Sequence, residues 1–121
     1  MKKFAGYLLQ ILLLAAVAAA TAQAEWHSLG KVTGSHVEGS RITFHTGQAV
    51  VQVSVLAPDV VRVRMAPGST FGPDYSWAVE KKQWPAVRVE FSHEPNMEVI
   101  RTGKLVIHAQ LSPFRLAFYD S

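Results

Sequence analysis

Nine carboxylates and five histidines are the residues of this chain best equipped to move a proton, hold a metal or help break a bond. Hydrolysis of a glycosidic bond needs two carboxyl groups flanking it, one as acid and the other as base or nucleophile. Asp59, Asp74 and Asp120 fall in expected turns or at the chain end, where a short acidic side chain serves by bonding the backbone. Glu80, Glu90, Glu94 and Glu98 lie on or beside expected strands with outward polar faces, and no two of them are singled out as a pair. A zinc site needs three or four converging ligands, commonly two at short spacing. His27, His36, His45, His93 and His108 contain neither His-x-His nor His-x-x-x-His. Cysteine is absent, and neither a G-x-S-x-G nucleophile turn nor a glycine-rich phosphate loop occurs. The expectation is a chain without catalytic residues, metal or cofactor of its own.

Aromatic residues offer a different chemistry. Phe71, Tyr75, Trp77 and Trp84 crowd one stretch that also holds turn residues. An apolar ring can stack on the C–H face of a pyranose while polar neighbours bond its hydroxyls, so Tyr75, Trp77 and Trp84 are the candidate substrate-binding residues for carbohydrate. The competing expectation is that Trp77 is core and the others cover a sheet edge or a domain interface, since tryptophan is usually largely buried.

The elements that would position these residues are strands. Helical periodicity is missing after the first two dozen residues, while period-two alternation and turn residues recur throughout. Strands are expected at Ser35–Val37, Arg41–Thr46, Gln48–Leu56, Val60–Met65, Ser76–Val79, Val87–Phe91, Met97–Arg101, Leu105–Ala109 and Phe114–Tyr119. Glu38-Gly39-Ser40, Thr46-Gly47, Pro58-Asp59 and Thr102-Gly103 read as hairpin turns between antiparallel neighbours. Pro113 suits a strand start, and Ala66 to Tyr75 reads as a surface loop. The alternation assigns Val51, Val53, Val55, Val61, Val63, Met65, Val87, Val89, Phe91, Leu105, Ile107, Phe114, Leu116 and Phe118 to the core. Arg62 and Arg64 fall on the polar face with Gln52 and Ser54. The fold class is all-β, an antiparallel β-sandwich.

Residues 1–24 stand apart. Lys2 and Lys3 precede an apolar run from Tyr7 to Ala20, and Ala22-Gln23-Ala24 has the small-x-small pattern of a cleavage site. The run is shorter than the roughly 20 residues that cross a bilayer, so a signal peptide is expected rather than an anchor. Residues 25–121 then form one domain, periplasmic or extracellular, with no membrane association after cleavage. Removal of Lys2 and Lys3 brings the formal charge of +3 close to neutral, and the remaining chain has no basic cluster longer than Lys81-Lys82, which argues against nucleic acid. An exported chain without cysteine must draw its stability from core burial.

Taken in order, the segments "VVQVSVLAPDVVRVRMAPGSTFGPDYSWAVE", "VRVEF" and "MEVIRTGKLVIHAQLSPFRLAFYDS" resemble the N-terminal β-sandwich domain of glycoside hydrolase family 31, the α-glucosidase and α-xylosidase family. The resemblance rests on an R-V-R strand ending in proline, a Ser-x-Ala-Val-like strand, a Thr-Gly-x-Leu hairpin and a Pro-Phe-Arg-Leu strand. It implies a galactose-mutarotase-like sandwich, incomplete at Ser121, that precedes a catalytic (β/α)8 barrel. The family's nucleophile and acid/base are aspartates of that barrel, the nucleophile in a W-x-D-M-N-E-type segment, and this sequence has no such segment. The implied role is a non-catalytic domain of an exported α-glycosidase. The alternative is a free-standing carbohydrate-binding β-sandwich, or a structural domain with no sugar ligand.

Overall fold

The computed structural model describes residues 3–7, 10, 27–75 and 83–121. The expected leader falls largely outside these residues, and the expected strand Ser76–Val79 falls wholly outside them. No helix among the described residues is long and apolar enough to cross a membrane.

Among the described residues, eight strands form two antiparallel four-stranded sheets, each a simple meander. Sheet one runs β1 (Val32–Glu38), β2 (Arg41–Thr46), β3 (Ala49–Ala57), β4 (Val60–Pro67); sheet two runs β5 (Glu90–Glu94), β6 (Met97–Arg101), β7 (Leu105–Leu111), β8 (Phe114–Asp120). The strands form because β-branched and aromatic residues alternate with polar ones, which suits a pleated surface wet on one side. Two of the turns share one device. The Thr46 hydroxyl accepts the N–H groups of Gln48 and Ala49, and the Thr102 hydroxyl accepts those of Lys104 and Leu105. Each Thr-Gly pair thus closes its hairpin by a side chain that mimics a backbone acceptor.

Facing rows of the two sheets make the core. Ile42, Phe44, Val51, Val53 and Val55 come from sheet one; Ile100, Ile107, Ala109 and Phe114 from sheet two. Phe44 and Phe114 meet with ring centroids 5.2 Å apart in a tilted arrangement, a geometry aromatic pairs favour. Among the described residues, contacts at two further places join the sheets besides the core. The Thr102 hydroxyl donates to Pro58 O at 2.5 Å, with Lys104 Nζ 3.5 Å from Asp59 Oδ2, so the β6–β7 turn is latched to the β3–β4 turn. At the other place Phe114 N–H donates to Gly30 O, tying the arm before β1 to the start of β8.

Three expected core residues lie in the open. Val63 is 45% exposed, Met65 63% and Phe118 48%, although each sits in register with a buried neighbour: Val53, Val51 and Ile107 respectively. They occupy β4 and β8, each at one edge of its sheet, where the alternation points a side chain to the inner face without supplying an opposing layer. Conversely, Ile42, Phe44, Val99 and Ile100 are buried on central strands and were not among the expected core residues. The strand expected at Val87–Phe91 begins instead at Glu90, since Glu90 pairs with Arg101 and the chain beyond Arg101 leaves the ladder at the Thr102-Gly103 turn. Val87 and Val89 still pack on the core, but from irregular backbone. The β5–β6 turn at Pro95-Asn96 was also not expected; Asn96 adopts φ 59°, a conformation asparagine tolerates better than most residues.

Candidate functional site

The outer face of sheet one carries rows fixed by strand register. Ser54 lies between Arg41 and Arg62, and Gln52 between Thr43 and Arg64, with Gln52 Nε2 donating to Thr43 Oγ1 at 3.3 Å. The two arginines are therefore on the polar face, as the alternation requires, and the loop after β4 folds back onto them. Arg62 Nη2 donates to Asp74 Oδ1 at 2.6 Å, and Arg64 Nη1 lies 3.5 Å from Asp74 Oδ2. Arg64 also donates to Gly72 O at 3.3 Å and stands 4.6 Å from the centroid of the Phe71 ring, within cation–π range. The loop inverts the usual burial of β4. The Arg64 side chain is 20% exposed, far less than Met65 beside it.

Asp74 is thus an ion-pair partner rather than a backbone-bonding turn residue. The Arg62 hydrogen bond holds its carboxyl below the ordinary carboxylate value, and the positive charges of Arg62, Arg64 and Arg41 act in the same direction. A separated Arg-x-Arg and a following acid in a glycine- and proline-bearing loop was the sequence signal for this clamp.

The three aromatic candidates do not form a described constellation. Tyr75 ends the clamped loop and is 72% exposed. Trp84 is half-buried in the segment leading to β5, and Trp77 lies outside the described residues. Both Tyr75 and Trp84 have interactions with their surroundings.

Three carboxylates are each paired with a cation, and a fourth shares a hydrogen bond with a histidine ring. Asp74 is held by Arg62, Asp59 by Lys104, Glu90 by Arg88 at 3.4 Å, and Glu98 by His93 at 2.8 Å. None of these contacts sets one carboxylate against another, the arrangement acid–base hydrolysis uses. Among the described residues no three His, Asp or Glu side chains converge as metal ligands, and no polar or charged residue is fully buried.

A concavity of about 420 Å³ opens beside the latch between the sheets, lined by Pro58, Val87, Arg88, Glu90, Arg101 and Thr102 among others. Its side chains were not among the sequence candidates, because they come from three separate segments that only the latch and the β5–β6 ladder bring together. The register also shows that Glu90, Arg101, Val106 and Tyr119 form one row across the outer face of sheet two. Tyr119 is 51% exposed and packs against the His108 ring at 4.9 Å.

Comparison with solved structures finds the GH31 dextranase of Flavobacterium johnsoniae, seen in one structure as a mutant with isomaltotriose and in another with glucose. Each superposes with a TM-score of 0.67 at 25% identity, over 79% of this chain and 12% of the dextranase chain. The match thus spans only a small part of that protein. No curated protein sequence matches. Residues 50–121 match the glycosyl hydrolase 31 N-terminal galactose mutarotase-like domain, and they include β4 with its arginines, the clamped loop and the whole of sheet two. The chain belongs to this glycosyl hydrolase 31 N-terminal domain family.

Proposed function

We propose that the chain is the non-catalytic N-terminal sandwich of an exported α-glycosidase, in which a (β/α)8 barrel outside this sequence hydrolyses O-glycosyl bonds with two carboxyl groups. The observation that carries this reading is the family match over residues 50–121. An α-glucoside as substrate is supported by the similar dextranase, whose structures hold isomaltotriose and glucose. Export rests on residues 1–24, which have the charge, apolar run and small-x-small end of a cleaved leader.

The test is the coding DNA beyond Ser121. An open frame encoding a barrel with a W-x-D-M-N-E-like segment is expected. A natural stop codon there, together with a monomeric, cooperatively unfolding product, would overturn the reading. Turnover of p-nitrophenyl α-glucoside by the purified chain alone would overturn the placement of the chemistry. N-terminal sequencing of the exported protein should begin at Glu25.

A second reading, a free-standing carbohydrate-binding module built on Tyr75, Trp77 and Trp84, has one observation in its favour. Tyr75 is largely exposed and directly follows Asp74, the residue that anchors its loop. Loss of sugar affinity in Tyr75→Ala or Trp84→Ala, followed by tryptophan fluorescence, would support it.

A further inference from the structure

The outer face of sheet two is less polar than a solvated sheet face ordinarily is. Val99 is buried there, Val106 and His108 are half-buried, and the Tyr119 ring rests against His108 with half of the residue in solvent. Isolated exposed aromatics are common and mean little alone. Tyr119 is not isolated, because the register carries its row through Val106 to Arg101 and Glu90. Both of those residues line the 420 Å³ concavity, whose size falls in the range of small-ligand sites. Arg101 is therefore shared by the platform and the hollow.

We propose that this row is a carbohydrate-binding site for a neutral pyranose oligosaccharide, one ring stacking on Tyr119 and the next seated in the concavity beside Arg101. The proposal rests on the domain assignment above but uses none of its aromatic candidates. Strands in a sheet are spaced by about 4.8 Å, so Tyr119 and Arg101, two strands apart, are separated by about 10 Å, the reach of two linked sugar rings. Val106 between them supplies an apolar floor. A sugar hydroxyl both donates and accepts, and the hollow offers both kinds of partner. Arg101 is a donor braced by Ser92 Oγ at 3.1 Å, and Glu90 is an acceptor whose charge is balanced by Arg88. Pro58 and Val87 provide the apolar wall that a ring face requires. With Glu90 balanced by Arg88, Arg101 leaves one positive charge in the lining, and the galacturonate trimer tests whether that charge selects an acidic ring instead.

The chain is titrated with isomaltotriose, maltotriose and, as a charged control, a galacturonate trimer, while NMR signals of Tyr119, His108 and Arg101 are followed. Saturable shifts at these three residues with at least one neutral trimer are expected. Tyr119→Ala and Arg101→Gln should each weaken the affinity at least tenfold, and Tyr119→Phe should stay within twofold of the parent. Variants are compared only after circular dichroism shows the parent's spectrum. The proposal is overturned if neither neutral trimer shifts the Tyr119 row, if Tyr119→Ala and Arg101→Gln bind as the parent does, or if only the galacturonate trimer binds. Any of these results leaves the domain assignment intact, since that depends on the coding sequence beyond Ser121; a stop codon there would in turn leave this titration unaffected.

Discussion

Strands β3 and β4 are hydrogen-bonded neighbours with the same alternation of apolar and polar residues, yet their burial is opposite. On β3, Val51, Val53 and Val55 vanish into the core while Gln52 and Ser54 stay half-covered. On β4, Val63 and Met65 are exposed, and Arg62 and Arg64 are the covered ones. The sequence pattern is a property of the strand, whereas burial is a property of what lies opposite. β3 has sheet two beneath it. β4 has the loop carrying Phe71, Gly72 and Asp74 over its polar side.

Substitution along one register row gives the sharpest contrast. Phe44, Val51 and Met65 are successive partners on the inner face. Phe44→Ala should cost about 3–5 kcal/mol, close to the whole stability of a small domain, whereas Met65→Ala should stay within about 0.5 kcal/mol. Equal losses in chemical denaturation would mean that β4 is buried in solution and that the contrast is false.

A middle-sized effect is expected at the latch. Thr102→Val removes the acceptor for two turn N–H groups and the donor to Pro58 O, for a loss of about 1–2 kcal/mol without a change in denaturant m value. Removal of a methyl or two from the exposed inner edge of β4 should do less.

The clamp should respond locally. Asp74→Asn is expected to speed protease cleavage within Gly68–Tyr75 while the unfolding midpoint barely moves. Its pH dependence follows from the lowered carboxyl value. Asp74 binds its proton less readily folded than unfolded, so its contribution is complete above the ordinary value of 3.8 and is lost as pH falls through the lower folded value. Pepsin digestion at falling pH should therefore open this loop before the sheets, and added salt should help it do so. Smallest of all, Met65→Lys should leave stability within about 0.5 kcal/mol and improve solubility, because a charge on an edge strand discourages pairing with another chain.

Much of the fold was legible because each strand obeys a local rule. Alternation located β2, β3, β4, β6, β7 and β8, and the Thr-Gly and Pro-Asp pairs located their turns. What alternation cannot encode is the presence of a second layer, which is why Val63, Met65 and Phe118 were expected inside and lie outside. Val87 and Val89 show the reverse failure, since they pack on the core without a ladder. The hollow depends on a contact between segments far apart in sequence, Pro58 with Thr102, and no local rule reaches that far. Of the aromatic candidates, Tyr75 was legible as a loop residue; that Tyr119, outside those candidates, shares a row with Arg101 two strands away follows only from the register.

The meander topology of the two sheets has a consequence for how the molecule breathes. Among the described residues no strand is shared between sheets, so each can open along its own edges while the other stays intact, and the two part as whole leaves. The Phe114 amide, bonded to Gly30 O across that division, is then a reporter of leaf separation rather than of fraying within a sheet. In a hydrogen-exchange time course it should trade its proton together with the arm before β1, on a different clock from the ladder amides of β7 that surround it.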